Sequence, residues 1–176
     1  DQCIVGVSWN NFQQPRWAAK DRPSMQKVVT DGGGLFLDFD ANLSNTQQLT
    51  DVQTLINQGA DVIVLLAQDD KAGAGVVKLA ADNGIPVIAY DRELESSKVL
   101  FLTHDNVEVG RMIARAVTAV QPTGNYVIIK GDKKDTNPIF LRNGMQEILQ
   151  PLLDSGAIKI VAEEFTDSWK AENAQT

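Results

Sequence analysis

Short apolar runs alternate along most of this chain with stretches of helical periodicity, and that rhythm admits few folds. The runs cover residues 3–9, 34–39, 61–66, 86–90, 99–103, 125–131 and 158–164. Ile63-Val64-Leu65-Leu66 and Val87-Ile88-Ala89 are unbroken apolar segments, the pattern of parallel strands covered on both faces. Helical stretches fill 15–31, 45–58, 71–83, 106–120 and 138–154. Leu49, Val52, Leu55 and Ile56 share one face of the second; Met112, Ile113, Ala116, Val117 and Val120 share a face of the fourth. Repeated strand–helix units with short connections predict right-handed crossovers and an α/β fold with doubly wound, Rossmann-like parallel sheets.

The punctuation agrees with this map. Gly32-Gly33-Gly34, Gly59 and Gly84 follow the first three helices, where a residue without Cβ closes a helix most easily. Ser44 or Asn45, Asp70, and Asp105 or Asn106 stand as N-caps of the next three. Pro23 falls inside the first helical stretch, so a kink or a detached first turn is expected there. Residues 91–98 are too short for a crossover helix, and a new series begins with helix 106–120. The chain therefore reads as two units, 1–104 and 105–176, with a hinge near 103–107. The second series has one full unit, a further strand and then Asp167-Ser168-Trp169-Lys170-Ala171-Glu172, which reads as a helix start. Two strands and one crossover helix do not bury both sheet faces, so the second unit is expected to be incomplete and the chain part of a longer two-domain protein.

Composition narrows the function. Sixteen basic against 23 acidic residues leave a net charge of −7, which argues against nucleic acid or an anionic membrane as partner. The one basic group, Lys130, Lys133 and Lys134, is interleaved with Asp132 and Asp135 and reads as a solvated loop. No segment is long and apolar enough to span a membrane. The single cysteine, Cys3, excludes an intrachain disulfide or a zinc cluster, and a buried thiol at the strand start is expected. His104 is the only histidine, so a hinge hydrogen bond is expected of it rather than metal ligation. Gly73-Ala74-Gly75 lies within a helix and lacks a third glycine; P-loop, Gly-x-Ser-x-Gly and His-Glu-x-x-His patterns do not occur. A binding protein without cofactor or metal is the expectation, rather than an enzyme.

The strand ends carry the polar chemistry. Asp91-Arg92 follows run 86–90; Asn10 and then Arg16-Trp17 follow the first run; Asp132, Asp135 and Asn137 follow 125–131; Asp167 and Trp169 follow the last. In open α/β sheets ligands bind beyond the carboxyl ends of the strands. Carboxylate, amide and guanidinium groups match adjacent hydroxyls in pairs, and an indole face suits the apolar side of a pyranose. The site chemistry is that of a small neutral polyol. Local readings stand beside it. Asp91 could be a helix cap, Trp17 the core anchor of the first helix, and Asp135 and Asn137 a turn and N-cap. Trp9 is expected in the core, and Gln68-Asp69-Asp70 is explained by the capping role of Asp70.

Taken in order, Arg16-Trp17 with Lys20-Asp21-Arg22, Gly59-Ala60-Asp61-Val62, the run from Gly84 to Arg92, Asp105-Asn106-Val107-Glu108-Val109-Gly110, Gly124-Asn125-Tyr126, Leu149-Gln150-Pro151, Asp154-Ser155-Gly156, and Trp169 with Glu172-Asn173-Ala174 resemble the periplasmic sugar-binding proteins of ABC transporters, most closely their D-xylose-binding branch. The resemblance implies a two-lobe binder of the periplasmic-binding-protein fold that closes on a pyranose, its second lobe incomplete in this chain. It implies ligand contacts at Arg16, Trp17, Asp91, Arg92, Asp135, Asn137 and Trp169, with the two indoles on either side of the ring. It implies a periplasmic location after removal of a signal peptide, a monosaccharide ligand with a pentose favoured, and delivery to a membrane permease. A sensor module reporting to a membrane kinase would use the same contacts. A repressor effector domain would need an N-terminal helix-turn-helix and a basic face, and an enzyme would need turnover of the sugar.

Overall fold

A computed structural model describes residues 2–175. The chain divides into two compact units, Asp1–Leu102 and Thr103–Thr176.

The first unit is built on a five-stranded, all-parallel sheet. Its strands are β1 (Ile4–Trp9), β2 (Leu35–Asp40), β3 (Val62–Leu65), β4 (Val87–Tyr90) and β5 (Val99–Leu102), in the order β2-β1-β3-β4-β5. The chain winds outward from β1 in both directions, which places the topological switch point between β1 and β3. Helices α2 (Asn45–Asn57) and α3 (Asp70–Asp82) cover one face through Val52, Leu55, Val76 and Val77, packed on Ile63, Leu65 and Val87. On the other face Val7, Trp9, Trp17, Val64 and Leu66 form a second apolar cluster. Both faces being covered explains the unbroken apolar runs in β3 and β4. Residues 91–98 return the chain to pair β5 parallel with β4 without a helix, and the Asp91 amide donates to Leu102 O at 2.8 Å.

The second unit holds α4 (Asn106–Val120), β6 (Gly124–Lys130), α5 (Asn137–Asp154) and β7 (Ile158–Phe165). β6 and β7 pair in parallel, with a register shift between Tyr126 and Val127. One face of this two-stranded sheet joins Tyr126, Ile128 and Ile158 to Ala114 and Leu149 of the helices. The helices approach closely at two glycines: a Cβ on Gly110 would lie 2.0 Å from Leu141 O, and one on Gly144 1.9 Å from Val107 O. On the sheet's opposite face Val127 and Ile129 are 59% and 56% exposed. Among the described residues no helix is long and apolar enough to cross a membrane.

Several local expectations hold. Ser44 Oγ accepts from Gln47 N at 3.1 Å and Asp105 Oδ1 from Glu108 N at 2.9 Å, as caps do. Gly59 and Gly84 have φ of 83° and 72° just past α2 and α3. Trp9 is fully buried.

Others are refined or corrected. Residues 15–31 are helical throughout, and the irregularity expected at Pro23 is a π-helical turn, Trp17–Asp21, that leads into α1 (Arg22–Asp31), whose first turn holds Pro23. Lacking an N–H and excluding the carbonyl four residues back, Pro23 forbids continuous α winding, and the Arg22 amide reaches back five residues to Trp17 O. The cap of α3 is Asp69, whose Oδ1 accepts from Ala72 N at 3.1 Å; Asp70 is already helical. Residues 167–172 do not start an α-helix. They form 3₁₀ turns, Asp167–Trp169 and Ala171–Ala174, with Ser168 and Trp169 at φ of 57° and 56°. Cys3 is exposed, because the strand starts one residue later and only its backbone is engaged, with Cys3 O accepting from Leu35 N.

Candidate functional site

In the first unit the polar groups gather at the carboxyl ends of β1, β3 and β4. Past β1 the chain turns through buried Asn10 and Asn11; Asn11 Oδ1 accepts from the amides of Gln13 and Gln14 at 2.8 and 3.2 Å. This loop delivers Arg16 and Trp17 to the start of the π-turn. Past β4, Asp91 takes a left-handed φ of 65°, a conformation that short Asp and Asn side chains tolerate better than most. The kink keeps both Asp91 and Arg92 at the strand end rather than letting β4 run on.

Each member is anchored. Arg92 is buried, and its Nη1 donates to Ala67 O at 3.1 Å and Gln68 O at 3.4 Å, so the guanidinium reaches across to the end of β3. Arg16 donates from Nη1 to Asp91 Oδ2 at 2.9 Å, and its Nε lies 3.0 Å from Asp21 Oδ2. Its guanidinium carbon sits 4.3 Å from the centroid of the Trp17 ring. Trp17 itself is only 3% exposed and donates from Nε1 to Gln14 Oε1 at 2.7 Å. Tyr90 donates to Asp21 Oδ2 at 2.9 Å, its ring edge-on to Trp9 and Trp17. Burial works to lower the pKa of Arg16, but attraction to Asp91 and Asp21 overcomes it and holds the group cationic. Burial and the Asp21 carboxylate both push the Tyr90 phenol up, so it stays a donor.

In the second unit the corresponding groups lie past β6 and β7. Asp132 and Asp135 are buried in the loop between β6 and α5. Asp135 Oδ1 accepts from Asn137 N at 2.9 Å, and its Oδ2 accepts from Trp169 Nε1 at 3.0 Å. Asn137 opens α5 and accepts through Oδ1 from Asn106 Nδ2 at 2.9 Å. Asp132 Oδ2 takes the Ser168 amide at 2.7 Å, which fixes the unusual turn that presents Trp169. Gly131 makes the room: a Cβ there would lie 2.1 Å from the Trp169 ring. These bonds are the physical reason residues 167–172 turn instead of entering a helix.

Of the residues singled out in the sequence, Arg16, Trp17, Asp91 and Arg92 thus form one cluster in the first unit, and Asp135, Asn137 and Trp169 another in the second. Trp17 takes the environment of a core anchor: it is buried in the apolar cluster, with Arg16 over its ring. The turn reading of Asp135 is met by its bond to the Asn137 amide. Asp21, Tyr90 and Gly131 are further residues of the two clusters, beyond those the sequence points to. The spacing of Trp17 and Asp21, four apart ahead of a proline, held a signal for Asp21; nothing in the sequence marks Gly131. Among the described residues no group of three or more His, Cys, Asp or Glu side chains is placed to hold a metal ion.

Comparison with known proteins gives a consistent picture. The sequence signature described as a periplasmic binding protein domain matches residues 5–176. The chain is 33% identical over 171 residues to the D-xylose-binding periplasmic protein of Escherichia coli K12, covering 97% of this chain and 52% of that protein. The Haemophilus influenzae protein of the same description is 33% identical over 172 residues, with 97% and 51% covered. Among solved structures, an ABC transporter solute-binding protein from Clostridium phytofermentans with bound β-D-glucose superposes with a TM-score of 0.87 at 26% identity, over 98% of this chain and 57% of that one. A Caulobacter myo-inositol-binding protein with bound myo-inositol gives 0.86 at 29% identity, over 99% and 58%. The chain therefore spans about half the length of the curated relatives it matches.

Proposed function

The chain belongs to the periplasmic binding protein family, and from that premise we propose that it is the receptor part of a monosaccharide uptake system, with D-xylose the favoured ligand. The observation that carries this reading is the pairing, within each unit, of anchored carboxylate, amide or guanidinium groups with an indole at strand ends. Asp91, Arg92 and Arg16 stand beside Trp17, and Asp135 and Asn137 beside Trp169. Anchored carboxylate, amide and guanidinium groups bind hydroxyls without first having to be ordered, which favours affinity for a small, flexible polyol. No reacting group is required for this role, and we assign none. The receptor would work outside the cytoplasmic membrane and hand the sugar to an ABC-transporter permease.

Relatives and structural neighbours differ in ligand, namely D-xylose, β-D-glucose and myo-inositol, so the test compares sugars directly. Calorimetric titration of the full-length protein with D-xylose, D-ribose, D-glucose and myo-inositol should give heat selective for xylose. Selectivity for another sugar overturns the pentose assignment, and silence with all four overturns the receptor. Replacing Asp91 by Asn keeps a side chain that accepts the left-handed backbone while removing the charge. Asp91→Asn is expected to weaken sugar binding about 10–100-fold, the scale of a lost charge-assisted hydrogen bond, with an unchanged circular dichroism spectrum.

A further inference from the structure

Arg16 is an unusual ligand group, because its side chain is 44% exposed while the two carboxylates that hold it are only 11% and 12% exposed. An exposed arginine ordinarily keeps its rotamer freedom, and a single exposed ion pair does little to restrain it. Here Nε faces Asp21, Nη1 faces Asp91, and the plane lies over Trp17. The two carboxylates are not equivalent. Asp91 is a candidate sugar contact, so an incoming hydroxyl competes with Arg16 for it. Asp21 is committed elsewhere: its Oδ2 also accepts from Tyr90, whose ring is wedged between Trp9 and Trp17.

We propose that Asp21 is a positioning residue for sugar binding, pinning Arg16 through Nε so that Arg16 exchanges its bond to Asp91 for bonds to a sugar hydroxyl without leaving Trp17. This rests on the proposed sugar-binding role and adds a residue to it. The π-turn supports the assignment structurally. It sets Trp17 and Asp21 on the same side, so that the ring and the carboxylate reach the one guanidinium from two directions. Tyr90, through its hydroxyl, fixes the orientation of Asp21 in turn.

The test is a double-mutant cycle in the full-length protein, titrated with D-xylose, D-glucose and myo-inositol. Asp21→Asn is expected to lower affinity for the parent's preferred sugar about tenfold or more. Arg16→Met lowers it similarly, and the double variant is no weaker than Arg16→Met alone, because Asp21 acts only through Arg16. A merely structural role would make the two losses add, and additive losses overturn the proposal. So does an Asp21→Asn protein that binds within about twofold of the parent. If Asp21→Asn does not fold, Tyr90→Phe carries the same test. It is expected to lose about two- to fivefold against the parent and nothing further in the Arg16→Met background, while unchanged binding of Tyr90→Phe rejects the relay. A parent that takes none of the three sugars sinks the receptor reading itself. A parent that binds while Asp21→Asn binds equally sinks only the positioning role.

Discussion

Asp51 in α2 shows how one carboxylate can work against the fold that contains it. It is buried; Oδ1 accepts from Gln47 Nε2 at 2.7 Å, while Oδ2 has no hydrogen-bond partner. Burial pushes its pKa up, and the Asp40 carboxylate adds to the rise. A carboxyl whose folded pKa lies above its unfolded value, about 4, binds its proton more tightly in the folded state, so stability falls as pH rises through that interval. Asp51→Asn is therefore expected to be at least as stable as the parent at pH 7 and to lose part of the parent's gain on acidification toward pH 5. Urea unfolding of both proteins at the two pH values checks this, and a clear loss at pH 7 contradicts it. Gly131 is the opposite case, where an absent side chain is essential. In Gly131→Ala the new Cβ would overlap the Trp169 ring, whose indole would have to give up its bond to Asp135. Sugar affinity is expected to drop about tenfold with little change in melting temperature, as read by titration and by tryptophan fluorescence.

At the scale of elements the helices of the second unit depend on two glycines. Gly144→Ala would drive a methyl group into Val107 O, and rigid backbone on both sides leaves no flexible side chain to yield. The expected loss is about 1–3 kcal/mol in the second unit, measured by denaturant unfolding with probes on β6 and β7. Periodicity and punctuation made nearly every helix and strand of the fold legible, because burial on one or both faces leaves its period in the sequence. α4 and β4 lie within a residue of their expected bounds. What stayed hidden were features decided by contacts between distant residues. The turn at Trp169 is set by Asp132 and Asp135, more than thirty positions earlier. The partner of Arg16 at Asp21 depends on a widened turn that no hydrophobic period encodes. Cys3 shows the limit at element ends, where a one-residue difference in the strand start changes a side chain from buried to exposed.

The two units differ in how completely they bury apolar surface. The first has five strands with apolar clusters on both faces; the second has two strands, with Val127 and Ile129 exposed on the face away from its helices. Local stability follows buried contacts, so amides of β6 and β7 in the 176-residue chain should exchange with solvent faster than those of β3 and β4. Hydrogen exchange read by mass spectrometry tests this, and equal protection would refute it. One bond in the first unit has a mechanical meaning. Leu102 is the last residue of β5 and of its unit, and its carbonyl is held by the Asp91 amide. A pull on the chain where it leaves this unit reaches the backbone of Asp91, a candidate sugar contact, through this hydrogen bond and the β4–β5 ladder behind it. Exit and binding residue are thus tied together, and whatever stiffens Asp91 stiffens the exit with it.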